Sequence, residues 1–396
     1  MTAVLPDVDP FSPEFLADPY PAHELLREAG PVVHLERYGI HASARHAPVR
    51  AALHDPEAFC SSAGVGISDF RKEQPWRPPS LLLEADPPEH TRARRVVAGV
   101  LSAAAMRRLT EAFTAAADEL VARLAHGAPF DAMAELALVY PLRVFSDAVG
   151  VPEDGREHLL QYARMVFNTF GPRNELFENA VAGAGPTREW VDQQCREENL
   201  RPGGMGAQIH ARAAAEGFSP DDAAMLVRSF LSAGVDTTVH GLGNALWCLA
   251  RHPDQYTLLR ADPGLARAAF EEVLRYEAPV QTFFRTTTRP VALDGVEIGG
   301  GEKVLLFLGA AGRDPRQWSD PDAFDVTRRA TGHVGFGFGI HACVGMAMAR
   351  LEGEAVLTAL ARHVARIEPA GEPRRMLNNT LRGLETLPLR LVPGPA

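Results

Sequence analysis

Cys343 lies in the run Phe336-Gly337-Phe338-Gly339-Ile340-His341-Ala342-Cys343-Val344-Gly345, a glycine-rich loop directly before a long helical pattern. A cysteine in that place can ligate iron as a thiolate. The helix that follows turns its positive N-terminal end toward the sulfur and favours the deprotonated form. Gly337 and Gly345 carry no side chain, so backbone there can run close to a flat ring. A buried cysteine in a tight turn is the plainer alternative; the glycines, His341 and Cys343 at fixed offsets weigh against it. The chemistry such a loop supports is oxygen activation at a ring-bound iron.

Three further constellations bear on that chemistry. Ala233-Gly234-Val235-Asp236-Thr237-Thr238 interrupts a long helical pattern with poor helix-interior residues. A threonine hydroxyl there can bond the carbonyl one turn back and open a kink. Asp236 beside Thr237 places an acid next to an alcohol, a pair able to pass protons, and Ala233-Gly234 leaves a groove for a flat ring. Glu272 and Arg275 share one helix face at i, i+3, a spacing that in isolation marks an ordinary surface ion pair. His90 and Arg94 stand at i, i+4, suited to gripping a carboxylate, and Arg285 offers a third donor.

In their order and spacing, these segments resemble the cytochrome P-450 superfamily of haem-thiolate monooxygenases over essentially the whole chain. The resemblance implies a mainly α fold with small β-sheets, a triangular helical prism around a buried haem, formed by residues 1–396 as one domain. It implies haem b as cofactor, with Cys343 as the axial and only metal ligand. His90, Arg94, Arg285 and His341 then hold the propionates, and Ala233, Gly234, Gly337 and Gly345 approach the ring. Asp236 and Thr237 become the catalytic proton-delivery pair, and Glu272 with Arg275 the structural ion pair of the core. Many members carry an arginine where Ala323 stands here, which leaves Arg328 as the nearest third partner.

A closer likeness joins the chain to bacterial monooxygenases of para-substituted benzoates, para-methoxybenzoate above all. It is carried by Trp76-Arg77-Pro78-Pro79-Ser80, Met165 to Arg173, Leu226-Val227-Arg228-Ser229, Pro279 to Arg285 and Asn378 to Leu384. Ser229, Ala233 and Thr237 fall at i, i+4, i+8, so Ser229 and Thr237 are about 12 Å apart along a straight helix, near the length of such a substrate plus its gap to iron. A carboxylate at Ser229 would receive donors from Arg77, Ser80 and Arg228. Leu83, Phe167, Phe170, Val280, Phe283 and Leu381 would enclose the aromatic ring. The implied reaction uses O2 and two electrons from a separate iron–sulfur ferredoxin, served by its reductase, for O-demethylation or para-alkyl hydroxylation. Arg92, Arg95 and Arg350 offer a basic patch for that donor. Three rival readings stay open: a hydroxylase of a larger terpenoid or macrolide, a non-catalytic haem-binding sensor, and a peroxide-driven oxygenase that needs no ferredoxin.

The elements that position these residues are mostly helices. Helical spacing covers 104–124, 265–276 and 347–367. Ser219-Pro220-Asp221-Asp222 starts another helix that runs to about Ala250. Strand-like runs cover 30–35, 291–298, 303–308 and 387–392. Apolar residues make up 46% of the chain, enough for a large core, and the net charge of −10 argues against nucleic acid as a partner. Cys60, Cys195, Cys248 and Cys343 show no CxxC spacing, which sets aside structural zinc and a disulfide framework. Met1 to Tyr20, with four acids and four prolines, reads as neither signal peptide nor anchor, and no stretch suits a membrane span. The expected compartment is the cytoplasm.

Overall fold

The computed structural model describes residues 2–394. Its helical part is built on α1 (Glu89–Val100), α2 (Ala103–Leu124), α3 (Val139–Val149), α4 (Glu157–Asn168), α5 (Pro220–Gly234), α6 (Asp236–Arg251), α7 (Ala266–Tyr276) and α8 (Met346–His363). The largest hydrophobic cluster joins all eight, so helix-on-helix packing makes the main core. Within it α8 packs along α2 and against α7, which fixes the helix that follows Cys343. No helix among the described residues is long and apolar enough to cross a membrane.

The start of α5 is as its sequence dictates. Ser219 Oγ accepts from the Asp222 amide at 3.1 Å, and Asp222 Oδ2 accepts from the Ser219 amide at 3.2 Å, a reciprocal capping box with Pro220 in the first turn. The expected single helix to Ala250 is instead two, broken at Val235 (φ −93°, ψ −63°). Thr237 Oγ1 donates to Ala233 O (2.8 Å) and Thr238 Oγ1 to Gly234 O (3.2 Å), drawing those carbonyls from the helical ladder around the break.

The β part is larger than the sequence suggested. A sheet runs in the order 3–4, 33–35, 40–43, 303–307, 282–287, 59–60. The strand Thr282–Thr287 lies antiparallel to Lys303–Phe307, with Arg285 opposite Val304. Phe283 and Arg285, two apart, therefore present the same sheet face. The run 291–298 is a hairpin of two three-residue strands turning at Asp294 (φ 48°) and Gly295 (φ 79°). The helix expected over 347–367 ends at His363, and Val364–Pro369 pairs antiparallel with Pro388–Pro393. β-Branched Val364 and Ile367 favour that extended ending.

Candidate active site

A cavity of about 220 Å³ opens between α4, the α5–α6 break, the strand Thr282–Thr287 and the Cys343 loop. Cys343 lines it from the glycine-rich loop, while Ala233 and Thr237 line it from the helix break. Residues with exposed surface there face this interior space rather than bulk water. Burial raises the Cys343 thiol's pKa; the amides of Gly345 and Met346 and the charges of Arg94 and Arg350 pull the other way. Gly337 holds φ +69°, a left-handed conformation that lets the loop turn beneath the cavity. Gly234 also lines the cavity, yet its missing side chain serves a neighbour: a Cβ there would sit 2.2 Å from Phe145 Cζ of α3. The groove expected from Ala233-Gly234 is thus half filled by protein.

Beside the cysteine loop lies a buried group of nitrogen donors; Asp86, the carboxylate that acts on His90 and Arg285, is itself held by the amides of Ser61 and Ser62. The His90 and His341 rings are 4.3 Å apart, and neither Nε2 has a hydrogen-bond partner. Burial, then the charge of Arg94, lowers His90 to about 4; burial, then Arg285, His90 and Arg94, lowers His341 to about 2. Burial likewise lowers Arg285 to about 10 and brings Arg94 below its usual value. Arg94 Nη2 donates to Ala342 O (2.6 Å) and Arg285 Nη1 to Phe284 O (2.8 Å), so both retain donors for something else. Four donors converging on one site without a hydrogen-bonded carboxylate fit the propionates of a haem, and the adjoining cysteine fits an iron ligand.

The far end of the cavity is polar. Arg228 lines it and donates to Pro78 O (2.9 Å). Ser80 Oγ and Ser229 Oγ are 2.8 Å apart, and Ser80 Oγ also accepts from the amides of Leu82 and Leu83. Arg77 lines the cavity too, but its guanidinium is gripped bidentately by Glu84 (2.9 and 3.1 Å), and both side chains are buried. The expected free donor is therefore already paired, and Glu84, unforeseen from the sequence, also accepts from the Ser80 amide at 2.7 Å. Tyr162 of α4 lines this end as well, another residue the sequence reading passed over.

Between the two ends, Leu83, Phe167, Phe170, Val280 and Phe283 line the walls. Phe167 and Phe170 meet edge to face at 5.7 Å, and Phe170 lies 5.9 Å from Phe283. Leu381 does not line the cavity; it is bridged through its backbone to Val280 and buried behind it. Asp236 does not line it either, because one residue along a helix turns a side chain by about 100° and Thr237 takes the cavity side. Glu352 of α8 lines it unexpectedly: its Oε2 is unpartnered, and burial raises its pKa well above the ordinary carboxylate value.

Glu272 and Arg275 form a fully buried bidentate pair (2.7 and 2.7 Å). Arg328 completes it, donating to Glu272 Oε1 at 3.1 Å. The arginines expected as a docking patch have partners: Arg92 donates to Glu216 O, Arg95 pairs with Glu216, and Arg350 with Glu271.

A family model described as cytochrome P450 matches residues 260–391, the stretch from the Glu272–Arg275 helix through the cysteine loop. Cytochrome p450 CYP199A2 of Rhodopseudomonas palustris is 59% identical over 387 residues, covering 98% of this chain and 94% of that one. The chain belongs to the cytochrome P450 superfamily. This P450 is therefore an oxidoreductase of the haem-thiolate monooxygenase class. The β-dihydromenaquinone-9 ω-hydroxylase of Mycobacterium tuberculosis is 33% identical, covering 98% of this P450 and 79% of that enzyme. Cytochrome P450 CYP109Q5 from Chondromyces apiculatus superposes with a TM-score of 0.82 at 29% identity, covering 100% of each chain. The P450 architecture of α-helical layers with small sheets is thus the architecture of this chain.

Proposed function

We propose that this P450 binds haem b through Cys343 and oxidises a small para-substituted benzoate, held with its carboxylate at Arg228 and its para substituent near Thr237. One observation carries the reading: a single cavity has a cationic, hydroxyl-lined end, aromatic walls, and Cys343 with Thr237 at the other end. Haem b, when bound, activates dioxygen with two electrons and places one oxygen atom into a C–H bond. Binding, orientation and proton movement fall to side chains of the chain. His90, Arg94, Arg285 and His341 hold the propionates. Arg228 supplies the charge that binds the substrate acid, with hydroxyls from Ser80, Ser229 and Tyr162. The Arg77–Glu84 pair fixes the loop that carries Ser80. Phe167, Phe170 and Phe283 orient the ring and exclude water. Thr237 and Asp236 deliver protons from the helix break. For a methoxy substrate, hydroxylation of the methyl carbon leads to formaldehyde and the free phenol. A separate ferredoxin supplies the electrons in the cytoplasm.

The test is a titration of the ferric protein with para-substituted benzoates while the haem spin state is followed. para-Methoxybenzoate is expected to convert the spectrum, whereas its uncharged amide and bulky neutral terpenoids leave it unchanged, because a neutral ligand leaves Arg228 buried and unpaired. A preference for the neutral ligands would overturn the substrate assignment. Absence of a red-displaced Soret band in the reduced, carbon-monoxide-treated protein would overturn Cys343 ligation.

A further inference from the structure

On the face of α6 turned from the cavity runs a buried polar stripe. Asp236, His240 and Asn244 stand at i, i+4 and i+8, and all three have no exposed surface (0%). His240 Nε2 lies 3.3 Å from Asp236 Oδ1, but the alignment makes no hydrogen bond. Both oxygens of Asp236, both ring nitrogens of His240 and Asn244 Oδ1 lack a partner. An unsatisfied buried polar group costs about 1–3 kcal/mol, so five such atoms on three side chains of adjacent turns mark a site that calls for further hydrogen-bond partners. The ring finds room because a glycine faces it: a Cβ on Gly383 would sit 2.0 Å from His240 Nδ1.

The stripe leads outward. Asn244 Nδ2 donates to Glu277 O (2.9 Å) and Arg382 O (3.1 Å). The Glu277 carboxylate accepts from Arg382 Nε (2.8 Å) and lies 3.6 Å from Arg313, which pairs at 3.2 Å with Asp322, a side chain 70% exposed. Polar groups therefore follow one another from the protein surface to the buried acid beside Thr237.

We propose that His240 is a positioning residue that keeps Asp236 supplied with protons from solvent, through water held along this stripe behind α6. The imidazole takes up a proton on its water side as it yields one to the Asp236 carboxylate. Asp236 returns to the carboxylate when it passes that proton on toward Thr237, and His240 ends unchanged. The inference rests on Asp236 and Thr237 being the proton-delivering pair.

The experiment compares the reduced-ferredoxin-driven holoenzyme as wild type, Asp236→Asn, His240→Phe and His240→Asn. His240→Phe is expected to lower product formation on the order of tenfold, less than the 10²–10⁴ typical of a direct proton donor. The missing electrons are recovered as hydrogen peroxide, the solvent deuterium isotope effect rises, and the substrate-induced spin change stays as it was. His240→Asn, which keeps a hydrogen-bonding group, restores part of the coupling. Two readouts need no turnover. The Asp236 carboxyl infrared band, assigned by difference with Asp236→Asn, shifts in His240→Phe, and a crystal structure of the unmutated enzyme shows ordered water on Asp236 and His240. A peroxide-leaking Asp236→Asn beside a His240→Phe of wild-type coupling and isotope effect would overturn the relay alone. A silent Asp236→Asn would overturn the reading beneath it. Should His240→Phe fail to take up haem, His240→Asn and the water in the unmutated enzyme decide, and a dry stripe defeats the inference.

Discussion

Thr237 and Asp236 are neighbours in sequence with opposite surroundings, one lining the cavity and the other sealed behind it. The Thr237 hydroxyl already donates to Ala233 O, so its lone pairs are what it offers to a guest in the cavity. Thr237→Ala removes that acceptor, while Thr238 Oγ1 still holds Gly234 O at the break. The expected outcome is near-normal reductant consumption with most electrons recovered as hydrogen peroxide; equal coupling in both proteins contradicts the assignment. At this scale the sequence was most legible where chemistry demands a residue type, as at Cys343, His90 and Arg285. It was least legible where a partner comes from afar. Glu84 did leave a signal, a lone acid closing Leu81-Leu82-Leu83, since an acid in an apolar run needs a cation. Tyr162 and Glu352 left none, because only packing decides that they face the cavity.

Helices α7 and α8 are joined by an ion pair that bears on the cysteine loop between them. Glu271 of α7 accepts from Arg350 of α8 (Nη2 at 3.0 Å, and Nε) and from His333 Nε2 (2.9 Å). Burial raises the carboxyl's pKa, but the hydrogen bonds and charges of His333 and Arg350 outweigh it and hold it at about 2, against 4.5 ordinarily. A depressed carboxyl stabilises the fold fully above its unfolded value. That contribution, up to roughly 3 kcal/mol, is lost as pH falls from the unfolded toward the folded pKa. Glu271→Gln should lower the melting temperature at neutral pH and flatten its decline between pH 4.5 and pH 2, as followed by circular dichroism. The long amphipathic elements were readable from the sequence: α2 and α7 begin within a residue or two of their expected starts. The strand Thr282–Thr287 was not, because its side chains serve the core on one face and the cavity on the other and show no polar alternation.

Taken whole, the molecule is acidic but lines its cavity with arginines. The chain carries a net charge of −10, yet Arg228 at one end and Arg94 with Arg285 at the other place cations at both ends of this cavity. An anionic ligand approaching the surface meets general repulsion, so its affinity must come from these local fields. The Arg77–Glu84 clasp then has an implication for selectivity. Since Glu84 cancels Arg77, the attraction of the cavity's polar end for acids is only as strong as the one uncompensated guanidinium there, at position 228. Exchanging Arg77 for methionine would strip that surplus, leaving Glu84 and Arg228 in balance. The altered enzyme should bind para-methoxybenzoate and para-methoxybenzamide alike by spin-state titration, as an enzyme made indifferent to whether its guest is a salt.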